Sequence, residues 1–151
     1  AWFFFASPDS YLSFRNGKKP NGFLAGVFHS PCTNPIVAVP ELTLFPLVIF
    51  PQFAKWLRNS VSLAVHEDST GLDLDVTRWN DYLLRWAEDG VHFEINGNQV
   101  FQTALSPSAP MGLVIWIDNQ FAAFTPSGKI KAGTLESSAP AWLEFEELNI
   151  Q

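Results

Sequence analysis

Short apolar runs separated by turn residues are the sequence feature that most constrains the fold. Two such runs, residues 91–95 and 99–103, flank the dipeptide Asn96-Gly97. Asn-Gly is the strongest short-range signal for a β-hairpin, because both central residues of the tight turn need a positive φ. Further runs with strand character cover residues 1–6, 23–29, 72–76, 82–86, 111–117 and 142–148. The pattern predicts a mainly β protein.

Residues 36–65 interrupt the β pattern. The apolar stretch 36–50 is broken by prolines and is shorter than the roughly 20 residues that span a bilayer, so we do not predict a transmembrane helix. From Pro51, which suits the first helical position, apolar residues recur at helical spacing. They are Phe53, Trp56, Leu57, Val61, Ala64 and Val65, opposite Lys55, Arg58, Asn59 and Ser62. We therefore predict an inserted amphipathic helix over 51–65.

Composition excludes several classes of protein. The chain is 47% hydrophobic and 16% charged, which is unlike a disordered segment. A formal net charge of -6 disfavours nucleic acid as a partner, because an acidic surface repels a phosphate backbone. The single cysteine, Cys32, permits neither an internal disulfide framework nor a cysteine zinc site, and we expect an unreactive thiol.

A length of 151 residues predicts one domain, 1–151. The first predicted strand covers residues 1–6, at the very start of the chain, and we expect it to be buried. A chain that begins on a core strand leaves open whether strands upstream of Ala1 are missing.

The second half of the chain resembles the concanavalin A-like lectins and glucanases. In residues 77–97 the resemblance rests on a Trp and a Tyr before a strand that ends in Trp, then an Asp-Gly turn, a strand and an Asn-Gly hairpin. These residues are Trp79, Tyr82, Trp86, Asp89-Gly90 and Asn96-Gly97. Residues 110–120 and 141–145 look like the following and final strands of that fold.

The resemblance covers roughly residues 77–150, and its Trp79-Asn80 pair is also similar to domains that act on keto-disaccharides. It implies a bacterial member of the superfamily: a jelly-roll sandwich of two antiparallel sheets, with the helix of residues 51–65 inserted. In that fold the concave sheet usually carries the ligand. The resemblance is specific to fold rather than to activity.

The chain departs from the catalytic pattern of the glucanases. Glycoside hydrolysis needs a nucleophile and an acid/base carboxyl facing one sugar, and the laminarinase-type enzymes carry three alternating acids on one strand. Asp73 and Asp75 alternate but lack a third partner, and Glu144 and Glu146 lie on the last predicted strand.

Candidate ligand-binding residues lie at the end of the predicted strand 111–117. Asp118, Asn119 and Gln120 offer three consecutive hydrogen-bonding side chains beside Trp116. Their alternative interpretation is a turn that hydrogen-bonds its own backbone. A calcium site at Asp118 and Asn119 stays open as a cofactor prediction, but it needs more oxygen ligands than this run supplies. Arg85 points toward a ligand if the concave face is the solvent face.

Candidate catalytic residues are weaker. His29 is a candidate general base, and Asp9 and Asp118 are candidate acids. His66 and His92 have no partner at the spacing of metal ligands, so we expect surface histidines and predict no metal site.

The predicted helix carries a second candidate surface, formed by Phe53, Trp56 and Leu57. This surface either covers the sandwich or serves as a membrane-interface contact, a lid over an apolar pocket, or a homodimer contact.

Three functional hypotheses follow. The first is a lectin-like module that binds a glycan or another small molecule on its concave face. The second is an enzyme of glycoside hydrolase or lyase type on the same face. The third is a protein that uses residues 36–65 on a membrane surface or around a hydrophobic ligand.

Overall fold

The computed structural model describes residues 1–15, 17–29, 50–108, 110–137 and 139–151. Within these ranges the chain is mainly β, with eight strands and one helix. The strands are β1 (Trp2–Ala6), β2 (Gly22–His29), β3 (His66–Leu72), β4 (Tyr82–Ala87), β5 (Gly90–Ile95), β6 (Asn98–Thr103), β7 (Gln120–Phe124) and β8 (Ile130–Thr134). The helix, α1 (Pro51–Ala64), precedes β3.

The strands form three antiparallel sheets in the described ranges. Sheet 1 has the order β1-β2-β3, sheet 2 the order β4-β5-β6, and sheet 3 consists of β7 and β8. In sheet 1, Trp2 pairs with Gly26, and Gly26 pairs with Ser69. Because successive side chains of a strand alternate between faces, this register assigns every residue of sheet 1 to one of two faces.

Sheets 1 and 2 share one hydrophobic core. Ala25 and Val27 of β2 are fully buried against Val91 and Phe93 of β5. The ring of Phe3 meets the ring of Phe93 edge to face, with 5.2 Å between centroids. We call the face of sheet 1 that enters this core its inner face, and the opposite face its outer face. Apolar burial of this kind is the dominant favourable contribution to folding.

Asp68 links the two sheets at the edge of this core. Its partner across the sheet is Val27, and its carboxylate accepts hydrogen bonds from Thr103 of β6 and from Lys18. Desolvation raises the pKa of Asp68, but the hydrogen bonds from Thr103 and Lys18 and the charge of Lys18 together outweigh it. The pKa of this carboxyl group therefore lies below its ordinary value of 3.8.

The lowered pKa of Asp68 predicts an acid-dependent loss of stability. The folded state favours the ionised form, so its contribution is present above the ordinary pKa and is lost as pH falls through the lowered one. We expect Asp68→Asn to flatten the fall in unfolding free energy below about pH 4, measured by urea titration at each pH. An unchanged acid slope in Asp68→Asn would contradict this assignment.

The predicted hairpin is confirmed. Strands β5 and β6 pair antiparallel around Asn96 and Gly97, whose φ angles are 52° and 75°. The strands predicted over residues 23–29, 82–86, 91–95 and 99–103 are likewise present.

Gly97 offers a matched test of this turn. A Cβ at Gly97 or at Gly112 would meet no heavy atom within 4 Å, but only Gly97 has a positive φ, of +75°. We expect Gly97→Ala to lower the free energy of unfolding by about 1–2 kcal/mol, because the left-handed region is costly for a residue with a Cβ. Gly112→Ala should change it by less than about 0.5 kcal/mol. Equal effects in chemical denaturation would refute the turn assignment.

The strand predicted over residues 72–76 is wrong. β3 covers His66–Leu72 instead, and the chain then turns at Asp75. The Asp75 carboxylate accepts hydrogen bonds from the backbone and the hydroxyl of Thr77, and these bonds lower the pKa of Asp75. Asp side chains that bond their own backbone compete with a strand ladder, which explains the turn.

The strands predicted over residues 111–117 and 142–148 are also wrong. Both segments are described, and neither has a hydrogen-bonded partner strand within the described ranges. Their apolar side chains are exposed rather than covered: Val114 is 68% exposed and Trp142 is 70% exposed. Apolar runs indicate a preference for burial, but a strand also needs a backbone partner, which the pattern does not identify.

The first predicted strand is present as β1, but it is less buried than expected. Ala6 is buried, whereas Phe5 is 58% exposed and Trp2 is 38% exposed. β1 forms an edge of sheet 1, and its alternation sends Phe3 to the inner face and Trp2 and Phe4 to the outer face.

The predicted helix is present, with Pro51 in its first turn, but its buried side differs from the expectation. Ala54 and Arg58 are buried, while Trp56 is 58% exposed. Arg58 is buried because carbonyl oxygens of two other segments accept its hydrogen bonds. Residues 36–49 and Cys32 lie outside the described residues. Among the described residues, no helix has the length and apolar character needed to span a bilayer.

Candidate functional site

The outer face of sheet 1 carries an aromatic cluster. Strand alternation places Trp2 and Phe4 of β1 and Phe28 of β2 on this face. The rings of Trp2 and Phe4 are stacked with 5.3 Å between centroids, and Phe28 meets Trp2 edge to face at 5.5 Å. Trp116 joins them, 6.2 Å from Trp2 and 6.4 Å from Phe4. We call Trp2, Phe4, Phe28 and Trp116 the aromatic cluster.

The aromatic cluster remains accessible. Trp2 is 38% exposed and Trp116 is 47% exposed, and Phe4 and Phe28 are half-buried. Aromatic rings at a surface offer large, rigid apolar area together with a polar N–H in the case of Trp. Such a surface is typical of a recognition site when it lies beside convergent polar groups.

A glycine lets the loop between β1 and β2 cross the other half of the outer face. A Cβ on Gly71 would collide with the side chain of Lys19, which belongs to this loop. The absence of a side chain at Gly71 therefore gives Lys19 its path across the sheet. The loop therefore covers part of the outer face and lies beside the aromatic cluster.

A small cavity separates this loop from the cluster. Its volume is about 20 Å³, and its walls include Trp2, Phe4, Lys19, Glu67 and Ser69. A space of this size holds about one water molecule or one ligand hydroxyl. The cavity therefore joins apolar rings, a cation and a carboxylate at one place on the outer face.

Glu67 is the buried charged group of this cavity. Its residue is 1% exposed. The backbone N–H of Phe14 donates to Glu67 Oε2 at 2.7 Å, and the Ser69 hydroxyl donates to Oε1 at 3.1 Å. An ionised carboxylate has about four acceptor positions, so two remain after these bonds.

Arg58 holds the same loop from the opposite side. It is 2% exposed, and its guanidinium donates to the carbonyl oxygens of Ser13 at 2.8 Å and of Phe124 at 2.9 Å. The rings of Tyr11, Phe14 and Phe124 lie 5.4–5.9 Å from the guanidinium carbon. These cation–π contacts and hydrogen bonds compensate the loss of water around the charge.

Arg58 and Glu67 therefore bind the two ends of one peptide group. Arg58 binds the Ser13 carbonyl, and Glu67 binds the adjoining N–H of Phe14. We call this arrangement the peptide clamp. It attaches the loop between β1 and β2 to helix α1 on one side and to strand β3 on the other, and so fixes one wall of the cavity.

The peptide clamp predicts that replacing Arg58 lowers the free energy of unfolding much more than replacing Arg85. Arg58→Met leaves the Ser13 and Phe124 carbonyls without their donor and Glu67 without the balancing charge, so we expect a loss of about 3–5 kcal/mol in unfolding free energy. Arg85→Met is the matched control. Its ion pair with Glu94 involves a side chain that is 67% exposed, and we expect a loss below about 1 kcal/mol. Similar losses in thermal or urea unfolding would rule out the clamp.

The structure separates Arg85 from Trp116. Arg85 lies on β4 with His92 as its partner across the sheet, on the face of sheet 2 that points away from the shared core. It pairs with Glu94 at 3.0 Å. Trp116 lies by the outer face of sheet 1, so the two predicted ligand contacts occupy different sides of the core.

Asp118 and Asn119 immediately precede strand β7, and Gln120 is its first residue. Asp118 Oδ1 accepts from the backbone N–H of Gln120 at 3.0 Å, and the Asn119 amide donates to the Leu135 carbonyl at 3.1 Å. Gln120 is the first residue of β7 and pairs with Thr134. Asp118 and Asn119 also line an open cleft of about 530 Å³, whose other wall is residues 137 and 139–141.

The candidate catalytic residues are not joined. No hydrogen bond or ion pair within the described ranges links Asp9, His29 and Asp118. His29 ends β2 opposite His66, with 6.5 Å between ring centroids. No group of three or more His, Cys, Asp or Glu side chains in the described part is placed to hold a metal ion.

The predicted partner surface on α1 is only partly exposed. Trp56 is 58% exposed, and its ring lies 5.4 Å from that of Phe53. Phe53 and Leu57 are half-buried.

The residues of the candidate site that were not predicted from the sequence include Trp2, Phe4, Phe28, Lys19 and Glu67. The alternation of Trp2 and Phe4 with Phe3 and Phe5 was a usable signal, since it places two aromatic rings on each face of a strand. No sequence signal placed Glu67 opposite Phe28, because the strand His66–Leu72 is polar.

Comparisons of the chain with family models, with curated proteins and with solved structures find no match. The function of the outer face therefore has to follow from its own geometry and chemistry.

Proposed function

We propose that this chain is a concanavalin A-like, lectin-like module that binds a carbohydrate on the outer face of sheet 1. The observation that carries the proposal is the accessible aromatic cluster beside the buried carboxylate of Glu67. In this proposal the outer face of sheet 1 is the concave face of a two-sheet jelly roll.

The chemistry of the outer face suits a sugar ring. A pyranose has an apolar face made of C–H groups and an edge made of hydroxyls. Trp2 and Trp116 present apolar area to such a face, and Glu67 retains acceptor positions for a hydroxyl at the cavity. Few, well-placed polar groups among aromatic rings are the usual composition of a small-molecule site.

The described sheets are compatible with the jelly-roll proposal. Two antiparallel three-stranded sheets contribute to one core, and sheet 1 has a second face that carries the aromatic cluster. The support for a sandwich comes from this shared core together with the resemblance of residues 77–97.

Binding is favoured over hydrolysis by the carboxylates of the face. A glycoside hydrolase needs two carboxyl groups about 5–10 Å apart. On the outer face of sheet 1, Glu67 is the one carboxylate among the described strand residues, and its two hydrogen bonds fix it as part of the peptide clamp. We therefore propose recognition as the role of this face.

The cleft beside Asp118 and Asn119 extends the proposed site. It begins one residue after Trp116 and is open to solvent. A ligand of several sugar units that covers Trp116 would reach these two side chains. Arg85 has no part in the proposed site, because it lies on the outer side of sheet 2.

Replacement of Trp116 tests the proposal. We expect Trp116→Ala to weaken glycan binding about tenfold or more, which corresponds to about 1.4 kcal/mol of lost ring contact. The measurement is tryptophan fluorescence or calorimetric titration with neutral β-glucan oligosaccharides and with oligosaccharides of galacturonate, mannuronate and sulfated galactose.

Trp79→Ala is the matched control, because Trp79 is 67% exposed and lies in the turn before β4. Its affinity should equal that of the parent protein. Binding that survives Trp116→Ala unchanged, or an absence of binding to every oligosaccharide of the set, would refute the proposed function.

A further inference from the structure

We propose that the ligand of the outer face is an acidic glycan, whose carboxylate or sulfate group pairs with the ammonium group of Lys19. This inference rests on the proposed function and names the substrate class of the same site. It comes from the balance of charges around the cavity rather than from the aromatic cluster.

The loop between β1 and β2 brings cations to a site in an otherwise acidic protein. The formal net charge of the chain is -6, yet Arg15, Lys18 and Lys19 all lie on this loop. Lys18 is already neutralised, since its ammonium group donates to Asp68 at 3.2 Å and to the Ser69 carbonyl at 2.9 Å. Lys19 forms no ion pair within the described ranges and lines the cavity.

The carboxylate of Glu67 does not neutralise Lys19. Ion pairs within 4.0 Å among the described residues do not include Lys19 with Glu67. The negative charge of Glu67 is instead balanced across the Ser13–Phe14 peptide group by Arg58. With that pair balanced, Lys19 is the cavity-lining residue whose charge has no opposite charge within ion-pair distance among the described residues.

The side chain of Lys19 lies over the backbone of two glycines. Its aliphatic stem crosses Gly71, where a Cβ would collide with it, and its ammonium nitrogen lies 3.2 Å from the position of a Cβ on Gly22. The stem therefore lies along the outer face, beside the cavity that Trp2 and Phe4 also line. The ammonium group lies at the Gly22 end of β2, and Phe4 of the cluster pairs with Leu24, two residues from Gly22. A sugar chain that continues from the cluster along β2 would present a substituent to this cation.

The negative charge of the whole protein does not oppose this local attraction. Charges farther than about 8 Å are largely screened at physiological ionic strength. A contact between Lys19 and an anionic group is therefore governed by the charges at the cavity.

The experiment is a titration of the full chain with matched oligosaccharides: galacturonate oligomers, their methyl esters, sulfated galactose oligomers and neutral galactose oligomers. We expect at least one acidic oligomer to bind at least about tenfold more tightly than its neutral counterpart, which is the size expected for one charge-assisted contact. Preference for galacturonate identifies a carboxylate ligand, and preference for the sulfated oligomer identifies a sulfate ligand.

Lys19→Gln should remove this preference, so that acidic oligomers and their neutral counterparts bind the variant about equally. Lys131→Gln, an equal change of charge on the exposed strand β8, is the control and should bind like the parent protein. Raising salt from about 50 mM to about 500 mM should weaken acidic ligands in the parent and control, but not in Lys19→Gln.

The outcomes separate the two proposals. Equal binding of acidic and neutral oligomers, or an acidic preference that persists in Lys19→Gln, overturns the acidic-glycan inference and leaves the proposed function standing. Failure of every oligomer to bind overturns this inference, and it overturns the proposed function as well if the β-glucan and mannuronate oligosaccharides also fail to bind.

Discussion

The peptide clamp is the interaction on which the candidate site depends. Arg58 and Glu67 are both buried, and a buried charge is costly unless hydrogen bonds and an opposite charge compensate it. Here the two charges meet through the peptide group of Ser13 and Phe14 rather than directly. The clamp thereby joins α1, the loop between β1 and β2, and strand β3. It also reaches β7 through the Phe124 carbonyl, next to the point where Tyr11 bridges to Ala123.

The site arises because this fixed loop ends beside aromatic rings. Sheet 1 uses its inner face for the core shared with β5, so its outer face is left for contacts with the loop and solvent. Gly71 lets the side chain of Lys19 from this loop cross the sheet, and the bulky rings of Trp2 and Phe28 occupy the remaining part of the face. The outer face therefore carries exposed aromatic rings, the Glu67 carboxylate with acceptor positions left for a ligand, and Lys19, which has no ion-pair partner among the described residues.

The local signals of the sequence predicted only part of this arrangement. The hairpin at Asn96-Gly97 and the helix that starts at Pro51 follow from turn and cap chemistry, which is local. Strand β3 could not be predicted from local signals, because its polar residues have weak strand preference and pair with β2 through tertiary contacts. Arg58 was assigned to the solvent side of the helix, since hydrophobic periodicity cannot anticipate carbonyl and aromatic partners from distant segments. Trp116 was predicted as a ligand contact, but its neighbours Trp2 and Phe4 required the sheet register.

The most direct test follows the indole N–H signals of the six tryptophans by two-dimensional NMR during titration with an oligosaccharide that binds. Single Trp→Phe variants assign the signals. If the ligand binds the outer face of sheet 1, the signals of Trp2 and Trp116 shift together along one binding curve, while those of Trp79 and Trp86, on the side of sheet 2, stay in place. Shifts confined to Trp56 on α1, or to Trp79 and Trp86, would contradict recognition on the outer face of sheet 1.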